Sequence, residues 1–272
     1  QNFKIGECEQ LRNQLVLDEG DAFNKILHTK NINNLRNLNF FKEVNSEIVV
    51  GSTENSKIIN ISVEEKPTGE ISAGVGVGTS GGTIGFGVRE NNFLGKGIEF
   101  STSLELTEET IRGNFDLVNP NYRGSDQSLM FGLQSSETDR MSQFGYKTNK
   151  TGFHLGSRFE YYEDFFITPN VTSYYETLKT SNTASANLRK QKGNYFDTDF
   201  DYFIDYDKRN QKFQTTEGFR GRFNQSIPLI SESNALINGF EFNSYRELVD
   251  GMIGSFNFYS KSINSITGDD VR

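Results

Sequence analysis

Residues 196–206 read Phe-Asp-Thr-Asp-Phe-Asp-Tyr-Phe-Ile-Asp-Tyr, and this stretch indicates the fold most directly. Apolar or aromatic residues alternate along it with polar ones, most of them aspartates. Because successive side chains of a β-strand point to opposite faces, the alternation predicts a long strand with one aromatic face and one acidic face. The first face holds Phe196, Thr198, Phe200, Tyr202, Ile204 and Tyr206, and the second holds Asp197, Asp199, Asp201, Phe203 and Asp205.

The same alternation recurs on both sides of this stretch, from residue 70 to residue 261. We count about eleven strands of roughly 8–12 residues, each with one apolar and one polar face. Long strands with aromatic residues near their ends are typical of transmembrane β-barrels. A short connection at residues 91–97 and a long one at residues 179–194 predict tight turns on one side of the barrel and loops on the other. A soluble all-β domain, with usually shorter strands, is the alternative.

The composition of the 272 residues excludes several other classes of protein. Aromatic residues make up 13 % of the chain, which a disordered protein would lack. No run of about 20 apolar residues occurs, which argues against a helical membrane protein. The formal net charge of −8 argues against a nucleic-acid partner. The single cysteine, Cys8, excludes an intrachain disulfide and a zinc site built on cysteines.

Residues 1–66 follow a different pattern, with helical spacing before any strand. Residues 7–17 predict one helix, and Asp21 is a predicted N-cap for a second helix whose apolar stripe runs to Phe41. Strands are predicted at residues 44–50 and 57–65. This order predicts a small α+β module that ends before Pro67.

Two motifs resemble ligand sites but lack the required context. Residues 76–81 fit the G-x-G-x-x-G string of dinucleotide-binding folds, yet a strand pattern follows where that motif needs a helix. Asp197, Asp199 and Asp201 begin like an EF-hand loop, but Tyr202 and Lys208 stand where a glycine and an acidic ligand are required. We therefore expect neither a cofactor nor a metal ion.

The histidines give no convincing catalytic arrangement. The chain has two, His28 and His154, and Ser157 is close to His154 in sequence. Neighbours on one strand do not by themselves form a nucleophile and base pair, so an enzyme is not expected and no catalytic residue is assigned.

Several short motifs, in this order and spacing, resemble the BamA family of outer-membrane protein assembly factors. They are Asp18-Glu19-Gly20-Asp21, residues 35–44, Val63-Glu64-Glu65-Lys66-Pro67-Thr68-Gly69, residues 90–97, Asn119-Pro120-Asn121-Tyr122, Asp207-Lys208-Arg209-Asn210 and Thr216-Glu217-Gly218. The resemblance extends over nearly the whole chain. The last two motifs match the family's D-x-R-[DN]…T-x-G turn, although Thr215 replaces a usual proline.

The resemblance implies a mostly β fold: a partial transmembrane antiparallel β-barrel preceded by part of an α+β POTRA module. Residues 1–66 would be part of the last, periplasmic POTRA module. Residues 67–272 would form the first part of the barrel in the bacterial outer membrane, with about eleven of the family's roughly sixteen strands. The chain would then be a fragment, without its natural amino terminus and without the family's Arg-Gly-Phe loop.

The resemblance also implies a function, which is the assembly and insertion of β-barrel proteins without nucleotide hydrolysis. The partners would be unfolded outer-membrane protein clients, accessory assembly lipoproteins and outer-membrane lipid. A client strand would add to the edge of barrel strand one, formed by Glu70, Ile71, Ser72, Ala73, Gly74, Val75, Gly76, Val77 and Gly78. The POTRA surface for clients or partners would include Val44, Asn45, Glu47 and Ile48. The alternatives are a translocation-and-assembly or organelle relative, a two-partner secretion transporter and, from another functional class, a passive porin.

The residues of strand one agree with that role. Gly74, Gly76 and Gly78 limit side-chain packing against a neighbouring strand, and edge pairing through the main chain tolerates many client sequences. Gly76→Pro is therefore expected to impair client insertion, by removing a ladder donor. The competing interpretation is that these glycines relieve crowding where the barrel bends.

Overall fold

The computed structural model describes residues 12, 15–17, 20–38, 40–53, 56–78, 81–211, 215–231, 235–249 and 251–266. The helices are α1 (Lys25–Asn37), α2 (Met141–Phe144) and α3 (Ala186–Lys190), with a short 3-10 helix at Tyr122–Gly124. The strands are β1 (Phe41–Val50), β2 (Lys57–Glu65), β3 (Gly69–Gly78), β4 (Gly81–Phe93), β5 (Ile98–Thr107), β6 (Thr110–Asn119), β7 (Ser128–Arg140), β8 (Tyr146–Tyr162), β9 (Phe165–Thr180), β10 (Gly193–Asp207), β11 (Gly218–Ile230), β12 (Ala235–Val249) and β13 (Met252–Ser265). Among these residues no helix is long and apolar enough to cross a membrane.

The first part of the chain packs α1 against the antiparallel pair of β1 and β2. Ile32 and Leu35 of the helix and Val44 of β1 form its buried core. Asn24 caps α1 by accepting hydrogen bonds from the main-chain nitrogens of Ile26 and Leu27. The prediction of Asp21 as the N-cap is therefore wrong, because the helix begins three residues later than that cap requires. The predicted helix at residues 7–17, including Cys8, lies largely outside the described residues.

The predicted end of the second helix is also wrong. Phe41 is the first residue of β1 and not the last residue of the helix. Its side chain packs against the core formed with Leu35 and Val44. The ring is therefore partly buried from the strand. The helical spacing of the apolar residues continues past Asn37 only by coincidence.

The second sheet contains eleven antiparallel strands, β3 to β13, each hydrogen-bonded to its neighbours in sequence. This confirms the predicted strand count, although several strands are longer than expected. Because each strand pairs with the next, the hydrogen bonding is continuous across the sheet. Among the described residues the two edge strands are β3 and β13. Residues 81–93 after the glycine string form strand β4, so no helix follows the G-x-G-x-x-G match.

The two faces of this sheet differ in chemistry, as the alternation predicted. On the first, which we call the apolar face, large side chains point away from the protein without cover, and exposed fractions reach 94 % at Val77, 60 % at Phe256 and 50 % at Phe86. The other, polar face carries Ser101, Asp116, His154, Asp201 and Arg222 in cross-strand register. A broad uncovered apolar surface is unfavourable in water and favourable against lipid.

Aromatic rings form a band across the apolar face, near the end of the sheet at which β3 begins. We call this the junction end and the opposite end the far end. The rings form two groups, one from Phe93 to Phe115 and one from Tyr162 to Phe256, and within each group neighbouring centroids lie 5.4–6.4 Å apart. The band comprises Phe93, Phe100, Phe115, Tyr162, Phe165, Tyr206, Phe219, Phe242 and Phe256. Such girdles mark the boundary between hydrocarbon and headgroups in transmembrane barrels.

The connections do not divide into short turns at one end and loops at the other, so that prediction is wrong. The junction end has short connections at residues 94–97 and 163–164 but long ones at residues 120–127 and 208–217. The far end has a long connection at residues 181–192 and short ones elsewhere. The sequence pattern failed because a 3-10 helix and a side-chain-bonded turn extend the two junction-end connections.

Candidate functional site

The main-chain groups of β3 divide between its partner β4 and an edge that is unpaired in the described part of the chain. The Asn91 main-chain nitrogen donates to the Thr68 oxygen at 3.4 Å, which makes these two residues a hydrogen-bonded pair. Hydrogen-bonded pairs recur at every second residue of an antiparallel ladder. The regular register from Gly69 opposite Glu90 to Gly78 opposite Gly81 then directs the main chain of Ser72, Gly74 and Gly76 to β4.

The intervening residues therefore present their N–H and C=O groups to the free edge. They are Gly69, Ile71, Ala73, Val75 and Val77. The two-residue connection to β4 supports the same assignment, because such hairpins close on a hydrogen-bonded pair. The predicted client edge thus consists of main-chain groups from alternate residues, whose side chains lie on the apolar face.

The glycines of β3 lie on the polar face and oppose glycines or small residues of β4. Gly74 is opposite Gly85, Gly76 is opposite Thr83 and Ser72 is opposite Gly87. A methyl group added at Gly74, Gly76, Gly78 or Gly85 would meet nothing within 4 Å. The described residues give no support to the idea that these glycines relieve crowding. They leave bare backbone above a shallow depression of about 530 Å³.

The other edge strand, β13, is built differently. On its polar face it carries Tyr259 opposite Glu241 and Asn257 opposite Asn243. On its apolar face Phe256 and Phe258 pack against Phe242 and Phe240 of β12. Cross-strand side-chain pairs of this kind stabilise a sheet. Between β3 and β4 the polar face has one charged pair, Glu70 opposite Arg89, but no side-chain pair from Gly74 to Gly78, so this part of β3 is more weakly packed than β13.

The four residues predicted as a partner surface on β1 do not form one continuous surface. Val44 is only 4 % exposed and packs in the core, so its assignment as a surface residue is wrong. The physical reason is that α1 covers the face of β1 that carries Val44. Ile48 is exposed on that face, whereas Asn45 and Glu47 are exposed on the opposite one.

A buried carboxylate joins three strands on the polar face near the junction end. Asp205 of β10 is 2 % exposed and accepts hydrogen bonds from Arg220 and Arg222 of β11 at 2.6–3.0 Å. Arg158 of β8 approaches the same carboxylate at 3.8 Å and lies over the Phe166 ring of β9. The sequence showed an acidic face here but gave no sign that one aspartate would be enclosed by three arginines.

The family-like turn motif forms a clasp at the junction end. Arg209 donates two hydrogen bonds to the Asp207 carboxylate, and Lys208 donates one to Asp164 in the neighbouring turn. These carboxylates raise the pKa of Arg209 and of Lys208, so both stay charged. Asn210 donates through its side chain to the Thr216 hydroxyl and so closes the connection to β11. The motif therefore holds the ends of β9, β10 and β11 together.

Gly218→Ala is expected to lower the free energy of unfolding by at least about 2 kcal/mol. Gly218 has a φ of +100°, and an added methyl group would overlap the main-chain oxygen of Lys208. Urea unfolding of the detergent-solubilised protein would measure the change. Gly74→Ala is the matched control, because it meets no neighbour, and an equal loss in both variants would contradict this explanation.

The other residues noted in the sequence have structural partners. Asp197 is buried and accepts a hydrogen bond from Ser231, and Asp201 accepts one from Thr172. No group of three or more His, Cys, Asp or Glu in the described ranges is arranged to hold a metal ion.

The two histidines lie in different parts of the chain. His28 is buried beside the Ser46 hydroxyl in the first part of the chain. His154 lies 3.6 Å from Asp116 on the polar face, while Ser157 belongs to the opposite alternation and donates to the main-chain oxygen of Ser128. The structure does not bring His154 and Ser157 together.

Comparisons with known proteins agree on one family. The Omp85 superfamily domain matches residues 92–266. A Treponema pallidum (strain Nichols) protein named "Putative outer membrane protein assembly factor" is 29 % identical over 185 residues, which cover 65 % of this chain and 22 % of that protein.

Solved structures share the fold. BamA from Haemophilus ducreyi lacking POTRA domains 1–3 superposes with a TM-score of 0.77 at 20 % identity, over 96 % of this chain and 54 % of that one. CdiB from Escherichia coli superposes with a TM-score of 0.62 at 12 % identity, over 95 % and 52 % of the two chains. CdiB from Acinetobacter baumannii gives 0.55 at 12 % identity, over 98 % and 51 %.

The chain thus spans about half the length of these structures. Its eleven-stranded antiparallel sheet resembles part of a BamA barrel, and its family and fold imply an outer-membrane protein. The domain match covers most of the chain, from β4 to the end of β13. The protein is therefore a member of the Omp85 superfamily.

Proposed function

We propose that the protein assembles and inserts β-barrel proteins into the bacterial outer membrane, and that clients add at the edge of β3. The observation that carries this proposal is the construction of that edge. Its main-chain groups that point away from β4 come from Ile71, Ala73, Val75 and Val77, and its polar face has no side chains from Gly74 to Gly78. Relatives and structures that match the chain include an assembly factor by name and BamA.

The mechanism follows from main-chain pairing. A client strand beside β3 would find N–H and C=O groups at every second residue, and this pairing does not depend on client side chains. The apolar side chains of the same residues would face lipid, so the client would be placed directly in the plane of the bilayer. The weak packing between β3 and β4 would let the edge adapt. This chemistry needs no nucleotide, metal ion or catalytic residue.

The two ends of the sheet and the part before Pro67 would contact different surroundings and partners. The part before Pro67 would be a POTRA module in the periplasm, and the junction end of the sheet would face the same compartment. Unfolded outer-membrane proteins would be the clients, accessory lipoproteins would assist, and outer-membrane lipid would contact the apolar face. Asn45 and Glu47, which are exposed together on one face of β1, are candidates for the partner surface.

A transporter within the same superfamily is the competing function. The sheet also superposes on CdiB, so the fold alone does not choose between insertion and export. The weak polar-face packing of β3 favours insertion, because a strand that only closes a pore gains from strong packing against its neighbours.

A cysteine at Gly74 is expected to crosslink to the terminal strand of a client. Gly74 bonds to β4, so it would form a non-hydrogen-bonded pair with a strand on the free edge, with Cα atoms about 4.5 Å apart. Its side chain would enter open space. The measurement uses the full-length protein containing this chain, in liposomes, with an unfolded client carrying one cysteine, and scores client folding and disulfide yield.

The matched control is Asn257→Cys on the polar face of the other edge strand, β13. We expect accelerated client folding and a register-specific disulfide at Gly74 only. Steady solute conductance without client folding or crosslinking would overturn the proposal in favour of a transporter or pore. Equal crosslinking from both strands would overturn the assignment of β3 as the client edge.

A further inference from the structure

The far-end connection between β9 and β10 carries a group of cations without acidic partners. Lys179, Arg189, Lys190 and Lys192 are all exposed, and none forms an ion pair within the ranges that the structure describes. We call these four residues the far-rim cations. Nearby far-end cations behave differently: Arg140 lies 2.6 Å from Glu109, and Lys147 lies 2.7 Å from Glu137.

The register between β8 and β9 places one of the far-rim cations, Lys179, opposite a lysine of the neighbouring strand. Lys179 of β9 lies directly opposite Lys147 of β8. Like charges directly opposite each other destabilise a sheet unless other charges compensate. Lys147 is compensated by Glu137 and by Asp139 at 3.3 Å, whereas Lys179 has no such partner among the described residues. The ammonium group of Lys179 is therefore available to an anion from outside the described part of the chain.

Lys179 lies on the apolar face, at its far rim. The alternation of β9 places Lys179 on the same face as Thr177 and Tyr175. Thr177 bonds to the side chain of Asn194, which is opposite it in β10, and Lys192 precedes Asn194 by two residues. Lys179 thus borders the apolar face, and Lys192 lies in the connection immediately before β10.

Exposed aromatic rings lie four residues inward from these lysines, with the Thr177–Asn194 pair in between. Tyr175 and Phe196 are opposite each other in the β9–β10 ladder and are 51 % and 50 % exposed. An aromatic ring followed by a lysine toward the rim is the arrangement found where a barrel passes from hydrocarbon into headgroups. The lysine stems can lie along the apolar surface while the ammonium groups reach outward.

We propose that the far-rim cations bind the phosphate groups of anionic lipids in the leaflet around the far end of the barrel. This inference rests on the proposed membrane insertion of the sheet, but not on client assembly. Phosphate oxygens would supply the charge that Lys179 lacks. The exposed cations of α3 and Lys192 would hold further headgroups next to the first. The site would fix lipid at one position on the barrel circumference, across β9 and β10.

The test uses a tryptophan reporter in the full-length protein containing this chain. Tyr175→Trp places the indole four residues from Lys179 on the same face of β9. Any tryptophan elsewhere in the full-length protein is first replaced by phenylalanine; the chain itself has none. The protein is reconstituted without client in phosphatidylcholine vesicles holding a minor fraction of phosphatidylglycerol. Two vesicle samples are compared: in one the acyl chains of the phosphatidylglycerol are brominated, and in the other those of an equal fraction of the phosphatidylcholine. Bromine quenches the tryptophan fluorescence, so the ratio of the two quenching efficiencies gives the local enrichment of phosphatidylglycerol.

We expect brominated phosphatidylglycerol to be enriched about fivefold at the reporter, and less at high salt. The double variant Lys179→Gln with Lys192→Gln should reduce the enrichment to less than about twofold. The matched control, Lys96→Gln with Arg123→Gln, removes two exposed cations from junction-end connections and should leave it unchanged.

Equal quenching by both lipids in the unmutated protein would overturn the proposal, as would an equal loss in the control. Absence of quenching by either lipid would instead overturn membrane insertion of this face. Client folding is measured separately, so insertase activity with no lipid enrichment would sink this inference alone.

Discussion

Val75→Pro is expected to reduce the rate of client insertion at least about tenfold while the barrel itself stays folded. Val75 directs its N–H to the free edge of β3, and proline removes that donor and restricts φ. Edge strands tolerate proline where the N–H does not pair within the sheet, and the preceding residue, Gly74, accepts the restriction that proline imposes. The measurement is client folding in liposomes, with heat-modifiable electrophoretic mobility as the check that the barrel is folded.

Gly76→Pro, one residue further along, is the matched variant. Gly76 directs its N–H to Thr83 of β4, so proline there breaks the ladder inside the protein and should lower the yield of folded barrel. The predicted difference is thus a folded but inactive variant at Val75 and a poorly folded variant at Gly76. Normal client insertion by a folded Val75→Pro variant would contradict the proposal that β3 receives clients through its main chain.

The sequence alone predicted that Gly76→Pro would impair insertion. That outcome stays a prediction, but its cause changes, because the donor lost at Gly76 belongs to the β3–β4 ladder. Sequence reasoning identified the strand by its glycines. It had no means of telling which residues of that strand bond inward and which bond to the edge.

Asp205→Asn is expected to lower the free energy of unfolding by about 3 kcal/mol. The substitution keeps the shape of the side chain but removes the charge that Arg220 and Arg222 contact at 2.6 Å and 3.0 Å. The arginines would then repel one another in a site where Asp205 is almost fully buried. Urea unfolding of the detergent-solubilised protein would measure the change, and the ends of β8, β10 and β11 should exchange amide hydrogens faster.

Asp116→Asn is the control on the same face of the sheet. Asp116 lies 3.6 Å from His154, and its side chain is 41 % exposed, so the substitution should cost less than about 1 kcal/mol. If both variants lose the same free energy of unfolding, the enclosure of Asp205 by arginines does not stabilise the protein more than an exposed ion pair does. A loss at Asp205 with unchanged hydrogen exchange at the junction end would contradict its role in joining the strands.

The comparison of sequence with structure separates local features from long-range ones. Alternation along each stretch correctly predicted the strands of the large sheet and the chemistry of their two faces, since the period of two is a property of every strand by itself. Helical spacing was less reliable in the first part of the chain. There it extended the helix to Phe41 and placed the cap at Asp21, because an apolar residue near a helix end can serve the following strand as well.

The candidate site shows the same division. The glycines at 74, 76 and 78 were visible in the sequence, and so was the aspartate pattern of residues 196–206. The sequence did not predict that Asp205 is enclosed or that Val44 is buried. Both depend on residues that other strands or α1 bring close in the folded protein. The far-rim position of Lys179 likewise needed the register with β8.

By itself, then, the sequence determined the class of the sheet, the number of its strands and which side chains share a face. The tertiary structure decided which main-chain groups of β3 point away from β4, which carboxylate is enclosed and which lysines lack an acidic partner among the described residues. The physical reason is that side-chain direction is set within each strand. Hydrogen-bond direction, burial and charge compensation are set by the strand that lies beside it.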